Sequence, residues 1–144
     1  MMMTHQTVTF LVVEDDEIDI KALKRAFKEL KLSNPIRFAS DGIEALEILR
    51  GEGGNDKIEK PYLILLDLNM PRMNGIEFLD EIRKDPEHNS AIIFIMTTSA
   101  AEEDRVNAYG KNVAGYMLKS NAGHTFLDAL AMLDHYWKVV EFPE

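Results

Sequence analysis

Residues 63–75 read LILLDLNMPRMNG, and this stretch decides the fold. Its first four residues are all apolar, so the run has no polar face. That is what a strand buried on both sides of a parallel sheet looks like. Asp67 ends the run and Asn69 follows two residues later. Asn74–Gly75 then opens a helix pattern over residues 75–84, which stops before Pro86. An Asn-Gly pair can also turn a hairpin, but helical spacing follows it here, so it reads as a loop-to-helix entry. Strand, acid-bearing loop and helix together make one unit of an alternating α/β chain.

The same alternation runs along the whole chain. Residues 8–13, 36–39, 92–96 and 115–118 are further short apolar runs that read as strands. Residues 17–30 place Ile20, Leu23, Phe27 and Leu30 on one helical stripe. The next helix opens at Asp41, with Glu44 three residues on as in a capping box, and stops at Gly51. Residues 101–109 form a short helix candidate with few large apolar side chains, and residues 125–140 carry Phe126, Leu130, Leu133 and Trp137 at helical spacing. Strands joined by right-handed helical crossovers predict a doubly wound, five-stranded parallel sheet with helices on both faces, three layers in all. The polar stretch GEGGNDKIEK, residues 51–60, precedes the third strand. No internal repeat or interdomain linker interrupts the pattern. Residues 1–144 are therefore expected to form a single domain, with its core at about residues 8–140 and no output domain after it.

Composition narrows the function. The chain has 46% hydrophobic and 28% charged residues, ordinary for a globular domain, and a formal charge of −9. That charge argues against binding a nucleic-acid backbone, which needs a basic face. With no cysteine there is no disulfide, no thiolate nucleophile and no Cys-based zinc site. The longest apolar runs are too short to cross a bilayer, and residues 1–6 lack the blocks of a secretion signal. A cytoplasmic protein is expected.

In a doubly wound sheet the ligand site lies at the carboxyl ends of the strands. Glu14, Asp15 and Asp16 follow the first strand, Asp67 ends the third, Thr97 and Thr98 close the fourth, and Lys119 closes the fifth. Acids after a strand commonly serve as helix caps, and a lone lysine or threonine there is ordinary. Their joint delivery to one sheet edge is less ordinary. Carboxylates crowded together repel unless a cation neutralises them, and an oxygen-only set suits Mg²⁺.

These residues carry a family resemblance. VVEDD at 12–16, LLDLNMPRMNG at 65–75, MTTS at 96–99 and GYMLK at 115–119 resemble the receiver domains of two-component response regulators, over nearly the whole chain. The resemblance implies a flavodoxin-like fold and a phosphoacceptor that takes its phosphoryl group from a sensor histidine kinase. By position it implies Asp67 as the nucleophile. Glu14 and Asp15 are the acid pair that holds Mg²⁺, and Asn69 gives its backbone carbonyl to the metal. Thr97 and Lys119 bind the phosphoryl group, and Tyr116 is the aromatic that turns inward as Thr97 moves. Where the family usually has Pro after the active-site Lys, in a cis peptide, this chain has Ser120. A non-Pro cis bond costs about 2.5–4 kcal/mol, so this loop is either trans and reshaped or strained.

Ser120, the stretch MTTSAAEED, the Gly-rich insertion before the third strand and Tyr136–Trp137 further resemble single-domain regulators that partner bacterial phytochromes. Such regulators pair through their closing segment. Residues 125–144 here hold more apolar and aromatic side chains than one helix stripe needs, which makes Phe126, Leu130, Tyr136 and Trp137 candidates for a homodimer interface. The alternative is that Tyr136, Trp137 and Phe142 fold back over the sheet edge.

Two other functions compete. An aspartate-nucleophile phosphatase would resemble DxDx[TV], but the second acid of that pattern is replaced by Asn69, which cannot shuttle a proton. The chain is thus expected not to be a turnover enzyme. A degenerate docking receiver would lack an acid, Asp67 or Lys119, and none is missing. His5, His88, His124 and His135 show no metal-ligand spacing and are assigned surface or capping roles.

Overall fold

Five strands and three helices alternate through the described part of the chain. They run β1 (Thr9–Val13), α1 (Glu17–Glu29), β2 (Ile36–Ala39), α2 (Gly42–Arg50), β3 (Tyr62–Leu66), α3 (Gly75–Lys84), β4 (Ile92–Thr97) and β5 (Gly115–Leu118). This computed structural model describes residues 7–68, 70, 72–97, 110, 112–118 and 131–132. The helix expected at 101–109 lies outside them. Within the closing segment Ala131 and Met132 are described, both helical.

The strands form one parallel sheet in the order β2-β1-β3-β4-β5, as a doubly wound α/β chain requires. Every residue of β1 and β3 is buried, which explains why these runs show no alternation. The edge strand β2 is half-buried and tolerates Arg37 in its middle. One face of the sheet packs Val13, Leu66 and Ile95 against α2 and α3 through Leu49, Phe78 and Ile82. The other packs Phe10, Leu65 and Met96 against α1 through Leu23 and Phe27. There the Phe10 and Phe27 rings meet edge to face at 5.0 Å. Each such buried Leu or Phe contributes about 1.5–3 kcal/mol.

The helix starts are set by side-chain caps. The Asp41 carboxylate accepts the Glu44 N–H at 2.8 Å, as the sequence predicts, but Glu44 reaches back to the Ser40 N–H at 2.8 Å instead of closing a box on Asp41. At α3 the box is complete, with Asn74 and Glu77 each accepting the other's backbone N–H. The loop-to-helix reading of Asn74–Gly75 therefore holds.

His88 departs from the sequence reading. It is not a surface residue; it is 1% exposed. The cause is the turn after α3, where the Asp85 carboxylate accepts the N–H groups of Glu87 and His88 and turns the imidazole inward. There Nδ1 meets the Tyr62 hydroxyl at 2.5 Å. Burial first, then the Glu87 and Asp85 carboxylates, raise the Tyr62 pKa, so this hydroxyl keeps its proton. Nε2 finds no hydrogen-bond partner among the described residues and lies 3.8 Å from Glu87 Oε2. Burial, with Lys60 adding to it, lowers the His88 pKa against the opposing pull of Glu87, Asp85 and the Leu49 carbonyl. Arg50 and Lys57, in turn, are paired with Asp85 and Glu87.

This arrangement has a pH consequence. A folded-state pKa below the unfolded value of about 6.5 means that the unfolded chain takes the proton more readily. Stability is full above about pH 6.5 and falls as pH drops toward the folded value. Melting temperature should fall by a few degrees between about pH 7.5 and about pH 5.5, and His88→Gln should flatten that slope. An unchanged slope in the variant would remove His88 as its source.

Candidate functional site

The strand order reverses between β1 and β3, and the acids converge there. Val13 pairs with both Ala39 and Leu66, so three strands end at one level. The ladder continues one step further. Glu14 donates its N–H to the Ala39 carbonyl at 2.9 Å, and Asp67 donates its own to the Val13 carbonyl at 3.0 Å. Backbone pairing, set by the buried strands, thus fixes where Glu14 and Asp67 leave the sheet.

Carboxylate oxygens of Glu14, Asp15 and Asp67 lie within 4.8 Å of one another. Glu14 is 1% and Asp67 6% exposed, while Asp15 faces solvent. Two shielded carboxylates this close destabilise one another unless a cation offsets their charge. The donors are all oxygens, two buried and one open to water. This fits Mg²⁺, which takes one or two carboxylates and keeps several waters. The third acid of the run has another task. Asp16 caps α1, accepting the N–H groups of Ile18 at 2.8 Å and Asp19 at 3.2 Å. Its own N–H points at Glu14 Oε2, 3.2 Å away.

Behind Asp67 the chain turns tightly. Gly75 donates its N–H to the Leu68 carbonyl at 3.0 Å, and a Cβ on Gly75 would lie 2.6 Å from the Asp67 carbonyl oxygen. The loop between them also leans on α2, where Gly42 donates to the Met73 carbonyl at 3.0 Å. Arg72 Nε reaches Asp41 Oδ2 at 2.6 Å. Burial pushes the Asp41 carboxyl up, but Arg72 and the Glu44 and Ile43 N–H groups outweigh it and hold the pKa below its ordinary value.

Of the other candidate residues, Thr97 is placed by its backbone as the last residue of β4, paired with Leu118. Tyr116 lies on β5 opposite Ile95, half-buried against the cluster that holds Leu66 and Ile95. Asn69, Lys119, Ser120, Phe126, Leu130, Tyr136, Trp137 and the Thr97 side chain lie outside the described residues. The sequence reading missed two contributors near the site, Arg72 and the ion-pairing role of Asp41. They stand 31 residues apart, and no local spacing links them.

The chain belongs to the response regulator receiver domain family, which it matches over residues 10–131. It is a response regulator of the two-component type. Among curated proteins, the response regulator Rcp1 of Synechocystis is 29% identical over 127 residues, 88% of this chain and 86% of Rcp1. The solved structure of the phosphorylated cyanobacterial phytochrome response regulator RcpA matches with a TM-score of 0.85 at 29% identity, covering 96% of this chain and 100% of that one. The Mn²⁺-bound form of Rcp1 matches with a TM-score of 0.81 at 27% identity, covering 95% of this chain and 99% of that one.

Proposed function

We propose that this receiver accepts a phosphoryl group from a sensor histidine kinase onto Asp67. The observation that carries the reading is the convergence of Glu14, Asp15 and Asp67 at the switch point of the sheet. In the transfer, an Asp67 carboxylate oxygen attacks phosphorus. The bond from phosphorus to the donor's imidazole nitrogen breaks, and its electron pair stays on that nitrogen. Little covalent help is needed beyond positioning and charge compensation. The ladder bonds at Glu14 and Asp67 supply the positioning. Glu14 and Asp15, with Asp67 and the Asn69 carbonyl, would hold Mg²⁺. Bound there, the ion would offset charge on the phosphoryl oxygens. Lys119 pairs with the phosphoryl group and Thr97 hydrogen-bonds it. Tyr116 then turns into the space Thr97 leaves, and the surface around β5 changes.

We infer further that the kinase is a phytochrome, that the protein works in the cytoplasm, and that it is not a turnover enzyme. The likeness to RcpA, a cyanobacterial phytochrome response regulator, supports the first. For the second, no helix among the described residues is long and apolar enough to cross a membrane. Asn69 in place of a second acid supports the third. A homodimer through Phe126, Leu130, Tyr136 and Trp137 completes the reading, and the exposed Met132 between them is consistent with a contact surface.

The test is labelling by acetyl phosphate with and without Mg²⁺, the modified residue being located by mass spectrometry. Labelling should require Mg²⁺ and fall on Asp67. Asp15→Ala should raise the Mg²⁺ needed for half-maximal labelling at least about tenfold, since it removes one of few ligands. Metal-independent labelling, or a label on another residue, would overturn the reading.

A further inference from the structure

Arg72 combines three features that a surface arginine rarely shows together. Its backbone is left-handed, with φ of 58°, a conformation that disfavours any residue with a Cβ. Its side chain is 59% exposed, yet it ends on an Asp41 carboxylate that is 5% exposed. It also stands five residues after Asp67, in the loop that returns to Gly75.

The contacts around it close a ring. Asp67 is tied to Val13, the next residue Glu14 is tied to Ala39, and two residues past Ala39 stands Asp41. Asp41 splits its carboxylate, one oxygen capping α2 at Glu44 and the other receiving Arg72. Gly42 and Met73 add a backbone bond beside this pair. From Arg72 the chain leads back to Asp67. Every carboxylate-bearing segment of the site therefore belongs to one circuit. The Arg72–Asp41 link is made by side chains and can be removed without touching the core.

We propose that Arg72 is a positioning residue, whose ion pair with Asp41 holds the loop after Asp67 in register with Glu14 and sets the rate of phosphoryl uptake. This rests on the reading of Asp67 as the phosphoacceptor. Without the pair, nothing in the Arg72 side chain offsets its left-handed backbone, and the Gly42–Met73 backbone bond is left to hold the loop to α2 without it. Misplacement of reacting groups by about 1 Å can slow a reaction on the order of a hundredfold.

The experiment measures the rate of Mg²⁺-dependent labelling by acetyl phosphate, well below the melting temperature, in four variants. The donor carries no protein surface, so a slower rate is not a lost kinase contact. Arg72→Ala should slow labelling about tenfold, within the range that misplacement produces. Asp41→Ser, which keeps a cap for Glu44 but not the ion pair, should do the same. The double variant should be no slower than either single, because one link has been cut twice. Arg72→Lys should recover most of the rate, a rescue that a purely structural loss would not show. A native rate in Arg72→Ala, or losses that multiply in the double variant, would overturn the positioning role and leave Asp67 as the acceptor. If the unmodified protein were not labelled at Asp67, the reading beneath it would fall as well.

Discussion

Asp67→Asn is expected to abolish labelling by acetyl phosphate and by a phosphorylated kinase while the fold persists. The substitution keeps the shape of the side chain and removes its charge. An amide is no nucleophile toward phosphorus at neutral pH, and neither of its atoms can replace the carboxylate oxygen. The fold should survive because Asp67 is held by its backbone, through the bond from its N–H to Val13, and because neighbouring Leu66 and Leu68 are buried on their own account. Removing one charge from a cluster whose oxygens lie within 4.8 Å also relieves repulsion, so the melting temperature should not fall and can rise. Circular dichroism with mass-spectrometric mapping would check both halves. A variant that labels at native levels elsewhere moves the site, and one that fails to fold makes Asp67 structural.

Gly75→Ala should do almost as much damage from behind the site. The added methyl would sit 2.6 Å from the Asp67 carbonyl oxygen and 2.7 Å from Leu68 Cα, both backbone atoms that no rotamer change can clear. Overpacking of this kind costs about 1–3 kcal/mol, and here the strain falls on Asp67's own peptide. Labelling should slow on the order of a hundredfold, the scale set by misplacing a reacting group. Gly42→Ala is the internal control. Its methyl would meet the Met73 side chain, whose thioether can swing aside, so a smaller effect is expected. Thermal melts and labelling rates on both variants decide the matter. A native rate in Gly75→Ala would mean that the turn behind Asp67 can move without consequence.

The sequence made the sheet legible because its strands are buried on both sides. Runs such as LILL have no polar position to confuse with a helix or a hairpin, and the structure puts strands β1 to β5 within a residue of the expected ends. The candidate acids were legible for a related reason. Strand ends fix the level at which Glu14, Asp15 and Asp67 emerge, and parallel pairing brings β1 beside β3. Pairings between distant segments were not legible. His88 meets Tyr62, 26 residues away, and Arg72 folds onto Asp41, 31 residues away. Each partner has an innocent local reading, as a turn residue, a strand start, a surface cation or a cap. The Glu44 contact slipped by one residue for the opposite reason. A strictly local motif is right in kind, but the Glu44 carboxylate accepts the Ser40 N–H at 2.8 Å in place of that of Asp41.

The polar segment that joins α2 to β3 enters the sheet at the rim opposite the acids. Its later half is pinned by Arg37 on the Asp56 carbonyl, by Lys57 on Glu87 and by the buried Ile58. Its tip is not. Gly53 and Gly54 are left-handed, and a Cβ on Gly54 would meet nothing within 4 Å. The length of β3, five residues at about 3.3 Å each, sets the two rims of the sheet roughly 17 Å apart. Doubling the length of such a loop adds only about 0.6 kcal/mol of closure entropy. For an engineer, this makes the Gly53–Gly54 bond the place to graft an affinity tag or a fluorescent reporter: the cargo hangs from one rim and leaves the acids at the other clear.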